Sequence, residues 1–497
     1  MKTGLLKCVT LFFTLALSVI ASHGQAASYF VNATHGDDGN SGAELSPWAT
    51  FARAWQQLEP GDTLYVSDGI YSEPLRIPLS GRAGAPITVK ATTPGEAIIA
   101  TRAEPAIEVL NQAHLVIEGI SARTDGESST IVIGGHDGPD WTDRTHHIVL
   151  RQVSARGNAI DGNGSVVNIA RSYDVLAEDI WAYGNSRTVV QLAGNENLTL
   201  RRAVIRWDGW RGYDYNPNNY RSALLVSNTV NSLFENLIIF DGHQPGYGEN
   251  PETSGSLAAI RVSGSMGGRY TPFDGASNNR FKGIIILNNQ EMGIRIEGHI
   301  VLEDNHFSDV VVWDNSGYGV SVPRRSDGAI FERMTVGENG NGVYFGQDWD
   351  KVYASTLVDS IIYNNDLQTY SFGLRANPKQ TYNDRNFITG HRYNYYGTKP
   401  GPEALLTGPK IDYLPGVDID AADRRTAGAI GAEVIYRSND GSTTLEPLWP
   451  YPNEGKIKEE MCSEATLLIT GRTGTATPDW CQRDVSLSSY IWQYLGN

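Results

Sequence analysis

Short apolar segments with one shape recur along the chain. The first set reads SVVNI at 165–169, TVVQL at 188–192, ALLV at 223–226, AIRV at 259–262, GIRI at 293–296, GVSV at 319–322 and GVYF at 342–345. Each precedes or follows a second strand-like segment that ends in a turn: IWAYGN at 180–185, VIRWDG at 204–209, IIFDG at 238–242, IILNN at 285–289, VVWDN at 311–315 and IIYNN at 361–365. The apolar alternation has period two, which predicts strands and excludes a helical repeat of period 3.6. Aligned on the residue expected to point outward, the first set gives Asn168, Gln191, Leu225, Arg261, Arg295, Ser321 and Tyr344, spaced 23, 34, 36, 34, 26 and 23 residues apart. The short intervals fit one turn of a stacked solenoid, and the long ones predict inserted loops. Propeller blades would need about forty residues each and hairpin turns. The expected fold is all-β, a right-handed parallel β-helix.

Asn or Gly closes the second segment at Asn158, Asn185, Gly209, Gly242, Asn289, Asn315, Asn339 and Asn365. In stacked coils such positions lie about 4.8 Å apart, so their amides are expected to bond into a ladder with a structural role. The 53 glycines fit a turn-rich β protein. A formal charge of -16 argues against nucleic acid as a partner.

Lys2 and Lys7, an apolar run over 8–21 and small residues up to Ala26 predict a signal peptide over 1–26, hence a secreted or periplasmic protein. The run is too short for a comfortable membrane span. Cys8 would leave with the peptide. Cys462 and Cys481 then remain, and one disulfide is expected.

The stretch after the leader has its own grammar: GDDGNSG at 36–42, SPWATFARAW at 46–55 and PGDTLYV at 60–66. Ser46 and Pro47 are expected to start a short helix covering the open end of the solenoid, which would otherwise invite edge-to-edge association. This opening closely resembles the N-terminal cap of secreted β-helix proteins of the pectate lyase superfamily, which includes pectate lyases, chondroitinase B and related alginate lyases. The resemblance implies the β-helix fold and activity on a polysaccharide. In that superfamily the catalytic base is typically Lys or Arg, and calcium often supplies positive charge.

The expected organisation is a cap with first coils over 27–100, coils with groove loops over 101–366, and final coils with an irregular, disulfide-stapled C-terminal cap over 367–497. In the last part, Tyr490, Ile491 and Leu495 are expected to pack a short terminal helix. A monomer is expected.

Three inserted loops carry the residues suited to a glycan, since an aromatic ring packs on the C–H face of a sugar. Trp210, Arg211, Tyr213 and Tyr220 lie in or beside the first, His243 and Tyr247 in the second, Arg269 in the third; Tyr344 is on the outward ladder. Arg261 and Arg295 occupy adjacent ladder positions, where two cations repel unless an anion sits between them. Glu297 is the expected neighbour, and binding of a substrate carboxylate by the arginine forks is the functional alternative. Lys282 completes the catalytic candidates, although its alignment places it on another sheet with Arg202 and Glu235. Asp208, Asp241 and Asp214 could form an oxygen cage for calcium.

The leading expectation is a lyase that cleaves a uronate-containing polysaccharide by β-elimination. A β-helix glycoside hydrolase using Asp208 and Asp241 is the second, and a glycan-binding surface protein without turnover the third.

Overall fold

The computed structural model describes residues 26–135, 144–210, 221–243, 257–265, 272–290, 292–346, 354–365, 371–404, 431–432 and 454–494. Arg211, Asp214, Tyr213, Tyr220, Tyr247 and Arg269 lie outside them, as do Leu495 and most of 405–453.

Every named strand pairing is parallel and joins one coil to the next. The strands form a 19-stranded and a 12-stranded sheet, with the right-handed winding that parallel crossovers adopt. In the central coils one strand of the larger sheet runs through a bend and so serves two faces. Ser172–Asn185 bends at Asp179, Thr199–Gly209 at Arg202, and His306–Trp313 at Asp309, each with φ near +50°. Gly283 and Asn236 hold the same place in their coils, Gly283 with φ +63°, a conformation in which an added Cβ would meet the Asn236 side chain at 2.6 Å. Oppositely charged neighbours stack at this bend, Arg202 on Asp179 at 2.7 Å and Arg333 on Asp309 at 2.7 Å.

The first half of the larger sheet carries an outward ladder of alternating charge: Lys90, Glu118, Arg151, Glu178, Arg201, Glu235 and Lys282. Opposite charges directly across a strand pair are favourable. Inside, Phe234, Phe281, Phe307 and Phe331 stack with centroids 4.2–5.1 Å apart.

Asn289, Asn315, Asn339 and Asn365 form the amide ladder expected from the sequence. Each side-chain NH2 donates to the next Oδ1, at 3.0, 2.8 and 2.8 Å, and all four residues are buried.

The N-terminal helix is Phe51–Ala54, and Thr50 rather than Ser46 is its N-cap. Ser46 donates to the Ala43 carbonyl in a tight turn instead. The reason is electrostatic: Asp38 accepts from the Ala49 and Thr50 amides, and Glu73 from those of Phe51 and Ala52, so two carboxylates take the free N–H groups at this end.

The second half of the larger sheet is apolar on both sides. Its outward residues Trp181, Val204, Ile238, Phe240, Ile285, Leu287, Val311 and Trp313 are buried against Ile457, Met461, Trp480, Leu487, Tyr490 and Ile491. The helices Glu454–Cys462, Glu464–Ile469, Asp479–Gln482 and Leu487–Tyr494 therefore lie along the side of the central coils rather than over the end of the solenoid. A strand apolar on both faces needs a cover on both. The Cys462–Cys481 disulfide joins two of these helices.

Candidate functional site on the 12-stranded sheet

The outward ladder of the 12-stranded sheet runs Glu108, Val132, Asn168, Gln191, Leu225, Arg261, Arg295, Ser321, Tyr344, Arg375 and Tyr396. In chain order, the connections 210–220 and 243–256 precede strands of this sheet and 264–279 follows one.

Arg261 and Arg295 are paired neighbours. Glu297 stands between them: its Oε2 lies 2.5 Å from Arg295 Nη2 and 3.8 Å from Arg261 Nη1, and its Oε1 lies 3.5 Å from Arg324 Nη2. Among the described contacts, one carboxylate thus serves three guanidiniums. Burial is graded, from Arg261 at 1% side-chain exposure through Arg295 at 17% to Arg324 at 50%. The cluster opens to solvent at Arg324, beside a small cavity lined by Arg324, Arg325, Phe345 and Gln380.

Along the same face, Tyr344 and Tyr318 have ring centroids 5.8 Å apart. The Arg375 guanidinium sits 5.1 Å from the Tyr344 ring and 5.3 Å from Tyr396. Contacts of this kind attract the guanidinium to the ring face.

The remaining sequence candidates lie elsewhere. Lys282 belongs to the charge ladder of the larger sheet, paired with Glu235 and Ser308, so it is not brought to Arg261. The arginine on the far side of Glu235 in that ladder is Arg201; Arg202 occupies the bend. Trp210 is buried and donates from Nε1 to the Gly162 carbonyl at 2.6 Å. His243 contacts Asn288 Oδ1 at 3.2 Å, and burial holds its pKa below the usual range.

Asp208 and Asp241 are fully buried under the C-terminal helices. Arg206 grips both Asp208 oxygens, at 2.8 and 3.2 Å. Arg472 approaches Asp208 at 3.5 Å and donates to the carbonyls of Asp241 and His243. Asp241 accepts from Tyr490 Oη, Asn288 Nδ2 and the Trp480 amide. Burial raises its pKa despite these donors. With two guanidiniums already on Asp208 and protein donors on Asp241, these oxygens do not fit a calcium cage, which needs several oxygens turned on one ion. Nor do they border an open groove, as a pair of hydrolytic carboxyls must.

What the described residues share with known proteins is architecture. No protein-family model matches the chain, and no curated protein matches its sequence. Among solved structures it is similar to pectate lyase Pel9A, at 13% identity over 86% of this chain and 89% of that one, with a TM-score of 0.48. It is also similar to the GH136 lacto-N-biosidase from Eubacterium ramulus, at 11% identity over 76% and 68%, TM-score 0.45. The A-module of the Azotobacter vinelandii mannuronan C-5 epimerase AlgE4 gives 13% identity over 70% and 91%, TM-score 0.42. The chain is a parallel β-helix. At such identities the likeness reaches the fold alone, and function in a β-helix resides in the site that the fold carries.

Arg324 escaped the sequence reading because it follows the strand that bears Ser321, in a connection with no ladder alignment. The proline at 323 and the paired arginines after it were the available signal.

Proposed function

We propose that this β-helix is an exported polysaccharide lyase that binds a uronate-containing glycan along the outward face of its 12-stranded sheet and cleaves it by β-elimination. The observation that carries this reading is the Glu297 carboxylate shared by Arg261, Arg295 and Arg324. A site that gathers three forks around one carboxylate is suited to a second one arriving from solvent at Arg324.

Elimination needs positive charge on the uronate carboxylate, to stabilise the enolate-like transition state, and a base near C5. Arg295 and Arg324, the more exposed members, would supply the charge. Arg261, next to Arg295 on the outward ladder, is the residue to test as base on ladder position alone. Tyr318 and Tyr344 would receive neighbouring sugar rings. Calcium held by Asp208 and Asp241 is not part of this proposal, because those carboxylates serve the C-terminal helices.

The test is absorbance near 235 nm, where the unsaturated uronate product absorbs, during incubation with a panel of acidic polysaccharides, with calcium and with EDTA. A rise that persists in EDTA and falls at least about 100-fold in R295A supports the reading. Reducing ends without absorbance would replace it with hydrolysis, and binding without either product with a glycan-binding role.

A further inference from the structure

Away from that face, three imidazoles meet on the first half of the larger sheet. Ring nitrogens of His114, His146 and His147 all lie within 4.8 Å of one another, the one such group of metal-capable side chains among the described residues. Strand pairing explains how they meet. Ala113 pairs with His146, which pairs with Tyr173, so His114, His147 and Asp174 stack at the following position in three successive coils.

That position is a left-handed one, with φ of +55°, +53° and +52° at these residues. Further along the solenoid it continues as Asn197, Asn231, Asn278 and Asp304, also at positive φ. Asn and Asp are the residues that tolerate this conformation well. Two successive coils here carry His instead. A hydrogen bond accounts for the His146 Nδ1 and His147 Nδ1 pair at 2.7 Å, but it does not account for the third ring.

We propose that His114, His146 and His147 bind a borderline divalent transition metal, of which Zn2+ is the probe of choice, and that the ion clamps two adjacent coils together. Nitrogen donors suit zinc and not calcium, which takes oxygens. Zinc–nitrogen bonds of about 2.1 Å in a tetrahedral site hold their nitrogens roughly 3.4 Å apart, so the His146 and His147 rings part slightly to admit the ion. The supports around them are those of a built site. His146 stacks on Tyr173 with centroids 4.6 Å apart, and the Arg144 guanidinium lies 4.7 Å from the same ring. Arg144 itself pairs with Glu196 at 3.4 Å. Asp174 Oδ2 lies 3.8 Å from His147 Nε2, placed to orient that ring through the nitrogen not facing the ion. Asp174 in turn accepts from Asn197. The site is open to solvent at His147, which gives the ion a way in.

The experiment is calorimetric titration of the EDTA-treated, tag-free protein with Zn2+, repeated with Ca2+, alongside thermal unfolding with and without Zn2+. The expected result is one equivalent of Zn2+ bound and a rise in Tm, both lost in H114A and in H147A. D174N is expected to retain stoichiometry while weakening affinity 10- to 100-fold. Far-ultraviolet circular dichroism of the variants, unchanged from the parent, separates loss of the site from loss of the fold. Absence of Zn2+ binding by the parent, or binding that survives H114A and H147A, overturns the proposal.

Discussion

Arg295 brings both Nε, at 2.6 Å, and Nη2, at 2.5 Å, onto Glu297 Oε2, a forked donation from one rigid plane that a single ammonium does not present in the same way. R295K is therefore expected to behave like R295A in the lyase assay, whereas a role for charge alone would let lysine rescue it. Asn315 shows the same economy in structure. Its Oδ1 accepts from the Asn289 amide and side chain and its Nδ2 donates to Asn339, so N315A leaves the buried Asn289 N–H without its acceptor and removes one of two donors to Asn339 Oδ1. A loss of about 1–3 kcal/mol in urea unfolding is expected. The two residues also differ in how far a sequence displays them. The asparagine ladder was legible because its role depends on repetition, and repetition is visible in one dimension. Glu297 was legible as a neighbour of Arg295, two positions further along the chain, just past the strand end. The roles of Asp208 and Asp241 were not: beyond Arg206, two positions before Asp208, their partners Arg472, Trp480 and Tyr490 come from more than two hundred residues away.

At the scale of elements, the C-terminal helices are held by a buried polar knot as well as by apolar contact. Arg472 is its centre, and R472A would strand buried Asp208 without one of its cations. A loss of about 3 kcal/mol is expected for breaking such a network. It should appear as early proteolysis within 454–494 while the solenoid's circular dichroism persists. Glu460 adds a pH dependence. Trp181 Nε1 donates to it at 2.8 Å, yet burial raises its pKa above the ordinary glutamate value. A carboxyl with a raised pKa in the folded state binds its proton more tightly there than when released. Its contribution to docking is complete below the ordinary value and is lost as pH rises through the raised one. Amide exchange across 454–462 should accordingly quicken from mildly acidic to alkaline pH more than in E460Q, where no proton can leave. The pattern of the second-half strands held a trace of this cover: VVVW and IIIL lack the polar alternation of a wetted face. Read alone, such runs signal burial on both sides without naming what does the burying.

For the whole molecule, the solenoid and its cover are stabilised over different distances in the chain. Coil-to-coil bonds join residues some 23–50 positions apart, as in the Asn185–Asn158 and Asn279–Thr229 contacts at 27 and 50. Tyr490 reaches Asp241 across 249 positions, and Trp181 reaches Glu460 across 279. A chain ending before residue 454 should keep its coils but expose Trp181, Phe240, Leu287 and Trp313, so strong binding of a hydrophobic dye and concentration-dependent aggregation are expected of it. Contacts between distant residues must overcome the entropy of closing long loops and so form late. The coils can grow by addition, each on the edge left by the last, but the apolar strip along their flank stays bare until the final helices arrive. Refolding should then show two events in a fixed order, accretion of the solenoid and closure of its flank. The interval between them is when the chain is most vulnerable to misassociation, and it is timed by a segment that takes no part in the coil.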